Sequence, residues 1–239
     1  MTRLPVLLPL APLLLAASPA PDRSAERELM VLTVANMAET AGLAEARRLD
    51  RDVLRALLEI PRHHFVPEGS SRFAYENRPL EIGHGQTISQ PYIVALMTHL
   101  LEPRPGDSVL EVGTGSGYQA AILSRLARRV HSVEIVEPLA AEAAGRLRRL
   151  GFANVEVRLG DGYAGWPERA PFDRILVTAG VDHVPGPLLD QLKPGGRMVI
   201  PLGRRPDRLE LTVIDKTKQG RIRSRSLLPV RFVPLTRSP

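Results

Sequence analysis

From Ser108 to Gly203 short apolar runs alternate with helix-forming segments, and this alternation constrains the fold more than any other feature. SVLEV (108–112), VHSVEI (130–135), NVEVRLGD (154–161), FDRILVTAG (172–180) and RMVIPLG (197–203) read as strands. YQAAILSRLARR and PLAAEAAGRLRRLG read as helices between them, and VPGPLLDQLKPGG as a helix and turn. Strands separated by helices of this length join in parallel through crossovers, so the class is α/β with a mostly parallel sheet. The tail changes character. RLELTVIDK, then QG, then RIRSRSLLPVRFVPL reads as a C-terminal antiparallel hairpin at one end of that sheet. The order of its two strands is left open.

The segments before this core are of three kinds. Residues 1–23 hold MTRLPVLLPLAPLLLAASPA, an arginine followed by an apolar run and small residues, which is the grammar of a secretory signal. The run is too short and too broken by proline to span a membrane comfortably, and Pro21 hinders cleavage. Residues 24–239 read as a single domain that opens on an N-terminal helical segment, 24–60, rich in Ala, Glu, Arg and Leu. From Pro61 to residue 107 runs a polar stretch punctuated by Gly and Pro, too long for a simple connection and therefore a candidate functional loop. It contains GQTISQP (85–91), followed by the helix-like YIVALMTHLL. Ser89 is a natural N-cap there, with Pro91 in the first turn.

Composition excludes some chemistry. The chain has 239 residues and no cysteine, so disulfides, thiolate catalysis and Cys-ligated metals are out. The net charge of +6 is spread along the chain. That argues against a dedicated nucleic-acid surface.

The first strand runs into VLEVGTGSGYQAA, where Gly113, Gly115 and Gly117 alternate through the turn. Glycine permits positive φ and close approach of a ligand to the backbone, at the carboxyl end of the central strands where open α/β sheets bind ligands. Glu134 ends the second strand about 20 residues later, the place where an acid accepts ribose hydroxyls, here as a bidentate contact. The dinucleotide pattern G-x-G-x-x-G fails, because its last glycine falls on Tyr118. G-x-G-x-G with Glu111 two residues before it resembles instead the class I S-adenosylmethionine methyltransferases. In that class the acid of the GDG segment, Asp161 beside Gly162, meets the adenine amino group.

Longer motifs narrow the resemblance. HHFVPEGSSRFAYENRPLEIGHGQTISQPYIVALM, LEVGTGSGYQAAILSRL, GDGYAGWPERAPFDRILVTAG, LKPGGRMVIPLG and VRFVPLT are similar to the protein-L-isoaspartate O-methyltransferase family, from about Pro61 to Thr236. The resemblance implies a Rossmann-like class I methyltransferase sheet and S-adenosyl-L-methionine as the methyl donor. It implies isoaspartyl-containing proteins and peptides as partners, in a cytoplasmic enzyme, with export or membrane tethering through the signal-like residues 1–20 as the alternative; a monomer is expected. The α-carboxylate of the isoaspartyl residue would take the methyl group, and the ester would collapse to succinimide and then return in part to aspartate. Ser89 matches the family's active-site serine, as a positioning hydroxyl rather than a nucleophile, and Thr87 is expected to border cofactor and substrate. Cofactor contacts are expected from Glu111, Gly113, Gly115, Gly117, Glu134, Asp161 and Gly162. No metal is expected.

Other features have plainer readings. His63, His64 and His84 are expected to pack in loops, and Trp166 in the core. The arginines of GRLRRLG are expected on a solvated helix face; those of RIRSR fit an exposed strand face and, equally, attraction of acidic peptides. Gly180, where the family commonly has alanine, is expected to matter little. The Arg-rich loop in PLGRRPDRLEL departs from the family, so no contact is transferred to it. Two other readings stay open. A nucleic-acid methyltransferase would need an Asn- or Asp-Pro-Pro-aromatic segment, and Thr178, Ala179 and Gly180 stand in its place. A non-catalytic cofactor-binding or envelope protein is suggested only by the signal-like N-terminus.

Overall fold

The computed structural model describes residues 22–205 and 208–237. The signal-like segment and the tip of the Arg-rich loop lie outside the described residues. The central sheet is built from β3 (Ser108–Val112), β4 (Arg129–Glu134), β5 (Val155–Leu159), β6 (Phe172–Val177), β7 (Leu192–Arg205), β8 (Arg208–Lys216) and β9 (Ile222–Val230). Its order is β5-β4-β3-β6-β7-β8-β9, parallel from β5 through β7, with β8 and β9 added antiparallel. The hairpin therefore extends one edge, with β9 outermost. Every residue of β3 is buried. It lies between two strands and under layers on both faces, which is why SVLEV is nearly all apolar instead of alternating.

Alternation still decides which face each residue serves. Val109 and Val130 pack in the larger core, under the helices α1 (Ser24–Thr40), α2 (Arg51–Glu59), α3 (Pro91–Leu101), α4 (Tyr118–Ser124) and α5 (Glu137–Arg149). Leu110, Val112 and Val133 face the second core, with Trp166, Phe172 and Leu188 of α6 (Gly186–Gln191). Glu111 shares the parity of Val109, and Ser132 and Glu134 that of Val130. All three polar side chains thus point to the helical side.

Three local readings change. The stretch 61–90 is ordered as two 3₁₀ turns and a hairpin, β1 (Leu80–Gly83) paired with β2 (Gln86–Ile88). Its turn, Gly83-His84-Gly85, has positive φ throughout (93°, 53° and 69°), so this glycine pair is a backbone requirement. Ser89 does not cap α3. The cap position falls on Gln90, whose side chain makes no capping bond, and Asn77 Oδ1 accepts from Tyr92 N–H at 2.9 Å instead. The segment LKPGG belongs to β7: Leu192 pairs with Phe172 and Arg197 with Arg174, so residues 193–196 bulge between them. Gly180 also matters more than expected, because a Cβ there would come within 2.5 Å of Leu209 Cδ1, a buried side chain.

Candidate active site

A cleft opens where β3, β4 and β6 end. Its floor is the turn Gly113–Ser116, one end is Glu134–Val136, and the other is the segment Gln86–Ser89. Val233–Thr236, beyond β9, closes one wall. That strap is pinned to Gly180, which donates to Val233 O and accepts from Leu235 N–H, both at 2.8 Å.

The turn holds its shape through named contacts. Gly113 has φ 97°, and a Cβ there would fall 2.4 Å from Thr178 Oγ1. The Thr178 hydroxyl lies 2.6 Å from Gly113 O and 2.9 Å from Val112 O. Gly115 donates its N–H to Glu134 Oε2 at 2.8 Å. Gly117 has φ 86° and does not line the cleft. It packs under α5, where a Cβ would press on Leu147. Arg146 on α5 donates to Ser116 O at 2.8 Å. One arginine of GRLRRLG therefore supports the turn, and only Arg148 and Arg149 are exposed. No spacing rule reveals that contact, because it depends on how α5 packs.

Glu134 is 6% exposed and lines the cleft. Besides Gly115, its carboxylate accepts from Ile135 and Val136 N–H at 2.9 Å each. A carboxylate offers about four acceptor positions. Three are used here, which leaves room for one ribose hydroxyl where the sequence suggested a bidentate contact.

Glu111 lies behind the cleft wall rather than on it. Its Oε2 accepts from Ser132, the residue directly opposite in the β3–β4 register, and its Oε1 has no partner. Ser132 Oγ continues to Thr114 Oγ1 at 2.6 Å, and Thr114 does reach the cleft. Full burial pushes the Glu111 carboxyl up to about 8; the Ser132 hydroxyl opposes this, and Glu134 adds a smaller upward push. The ordinary value is 4.5, so between the two the native state binds a proton that the unfolded chain has lost. This contribution to stability is full below the lower value and is lost as pH rises through about 8. Glu111→Gln is expected to flatten the decline of unfolding free energy between about pH 5 and pH 8. Urea titrations at stepped pH test this, and an unchanged slope would exclude a protonated Glu111.

Asp161 does not line the cleft either. Its Oδ1 accepts from Tyr163 N–H at 2.8 Å, closing its own turn, and the neighbouring Gly162 forms the wall. A Cβ on Gly162 would lie 2.5 Å from Val112 Cγ1. Thr87 and Ser89 line the cleft at its far end. Both also line a second, smaller hollow with Pro79, Ile93, Arg231 and Phe232. Ser89 thus stands where the two spaces meet.

The remaining polar candidates are structural. His63 Nδ1 lies 2.6 Å from Tyr75 OH, and burial pushes the ring down to about 4. Trp166 is in the core, edge-on to His131. Among the described residues no cluster of His, Asp and Glu could hold a metal ion.

The cleft suits S-adenosylmethionine: it has a glycine floor open to a ligand, an acid with one free acceptor position at the end of β4, and no phosphate-binding requirement. The sheet and this cleft define a Rossmann-like class I methyltransferase. A sequence model of the family described as Protein-L-isoaspartate(D-aspartate) O-methyltransferase matches residues 40–239, and on that match the chain belongs to this family of S-adenosylmethionine-dependent protein-repair enzymes. Protein-L-isoaspartate O-methyltransferase 1 of Cupriavidus necator is 52% identical over 238 residues, 95% of this chain and 92% of that protein. A solved protein-L-isoaspartate O-methyltransferase superposes with TM-score 0.76 at 32% identity, covering 87% of this chain and 65% of its own. A second solved structure, from Plasmodium falciparum, is a putative member in complex with S-adenosyl-L-homocysteine; it superposes with TM-score 0.71 at 24% identity, over 92% of this chain and all of that one.

Proposed function

We propose that Ser89 positions the α-carboxylate of an L-isoaspartyl residue for methylation, with the methyl donor held along Gly113–Ser116 and Glu134. The observation that carries this assignment is the place of Ser89 on the shared border of two spaces, one suited to the cofactor and one open to a peptide. When bound, S-adenosylmethionine supplies a methyl group already activated by its sulfonium. The carboxylate is already a nucleophile and has no proton to lose, so no general base is needed. What remains for the chain is proximity and orientation. The neutral hydroxyl of Ser89 can donate to one carboxylate oxygen and leave the other free to react. Thr87 borders both spaces, and Thr178 holds the floor between them. The product ester then converts to succinimide and on to aspartate, the repair that the family performs.

The same reading makes the enzyme cytoplasmic, because the methyl donor is made and kept inside the cell. Among the described residues no helix is long and apolar enough to cross a membrane.

The test uses labelled S-adenosylmethionine and two peptides that differ only in L-isoaspartate against L-aspartate at one position. Base-labile label is expected on the isoaspartyl peptide alone. Label on neither peptide, from protein that binds the cofactor, would reject this function and leave the fold intact.

A further inference from the structure

We propose that Arg62 and Asn77 are positioning residues, a two-point clamp that fixes the Ser89 turn from the rear; this rests on the role assigned above to Ser89. Arg62 Nη2 donates to Ser89 O at 2.7 Å, and Arg62 Nε donates to Ala74 O at 2.9 Å. Three residues further along, Asn77 Oδ1 takes the N–H of Tyr92 at 2.9 Å. The turn Ser89-Gln90-Pro91-Tyr92 is thus held at its first carbonyl and at its last amide. Both jaws come from the stretch 61–79, which the sequence presents only as a long polar connection.

Stability alone does not call for this arrangement. The Arg62 side chain is wholly buried, and among the described residues no carboxylate pairs with it. A buried charge without an opposite charge is costly to folding. Its compensation is two carbonyls and the face of Tyr118, whose ring centroid lies 4.9 Å from the guanidinium carbon. Its Nη1 has no partner. Burial pushes the guanidinium down to about 10, so it stays charged at neutral pH. Tyr118 follows the glycine turn directly and lines the cofactor cleft. Arg62 therefore links the floor of that cleft to the backbone of Ser89, and the planar guanidinium reaches two carbonyls at once. A lysine can replace the charge but not that fork.

Arg62→Lys and Asn77→Ala are each expected to lower kcat for isoaspartyl peptide at least about tenfold, since misplacement near 1 Å can cost that and more. The Kd for S-adenosylmethionine is expected to stay within about twofold, as neither residue itself lines the cofactor cleft. The discriminating readout is a double-mutant cycle. On a Ser89→Ala background the same changes are expected to have little further effect on kcat, because the hydroxyl they aim is gone. Full additivity with Ser89→Ala, unchanged kcat in folded single variants, or parallel loss of cofactor binding would each overturn the clamp. If Arg62→Lys does not fold, Asn77→Ala decides alone, since it loosens the other jaw and leaves the buried charge in place. If Ser89→Ala itself keeps full kcat, the assignment of Ser89 fails first, a result separate from failure of the clamp.

Discussion

Ser89→Ala is expected to lower kcat for an isoaspartyl peptide about 100-fold, while the Kd for S-adenosylmethionine stays within about twofold. The separation follows from which atoms of Ser89 are engaged. Its carbonyl is held by Arg62, and alanine keeps that carbonyl. Ser89 lines both spaces, its hydroxyl is the group proposed to meet the substrate, and alanine removes only that. The floor at Gly113–Ser116 and the acid at Glu134 are untouched, so the cofactor site should survive. Steady-state kinetics at saturating donor and peptide, paired with titration calorimetry, measure the two quantities. A variant that binds the donor normally and turns over at the parent rate would show that the hydroxyl positions nothing.

Glu134→Ala should do the opposite, striking affinity before rate. The proposed contact to ribose would be a hydrogen bond to a charged acceptor, worth about 1.5–3 kcal/mol. That corresponds to a Kd raised roughly ten- to a hundredfold. The N–H groups of Gly115, Ile135 and Val136 lose their acceptor as well. Gly115 is part of the floor, so the variant should also loosen the turn. Glu134→Gln keeps an acceptor oxygen of nearly the same shape and should recover part of the loss. Calorimetry that returned the parent Kd for the alanine variant would remove Glu134 from the cofactor site.

How far the sequence led depended on the range of the interaction. The parallel strands were legible because a central strand such as SVLEV is buried on both faces and leaves an apolar run. The glycine turn was legible because positive φ at Gly113 and Gly117 demands glycine in place. The partition among those glycines was not. Gly117 serves the packing of α5, and only the three-dimensional position of Leu147 reveals it. Glu111 stands two residues before the turn as the pattern requires, yet strand parity turns its carboxyl into the helical core. The hairpin at 80–88 escaped notice because its strands are four and three residues long, too short for alternation to show. Arg62, Asn77 and Arg146 escaped for a different reason: each reaches a backbone group 15 to 30 positions away, and no local pattern marks such a contact. The expectation that Ser89 caps α3 followed residue preference, but the amide it would have taken is satisfied from another segment.

The strap at Val233–Thr236 bears on the order in which the molecule matures. The glycine turn and Glu134 can form once β3 and β4 have paired, yet one wall of their cleft comes from residues about a hundred positions later. That wall is placed by Gly180, and Gly180 lies beside Leu209 of the hairpin. A chain emerging from the ribosome would therefore assemble most of its sheet while the cleft still gaped. Competence to hold the donor would arrive as a late event, after the hairpin had joined the sheet and the strap had settled across the opening.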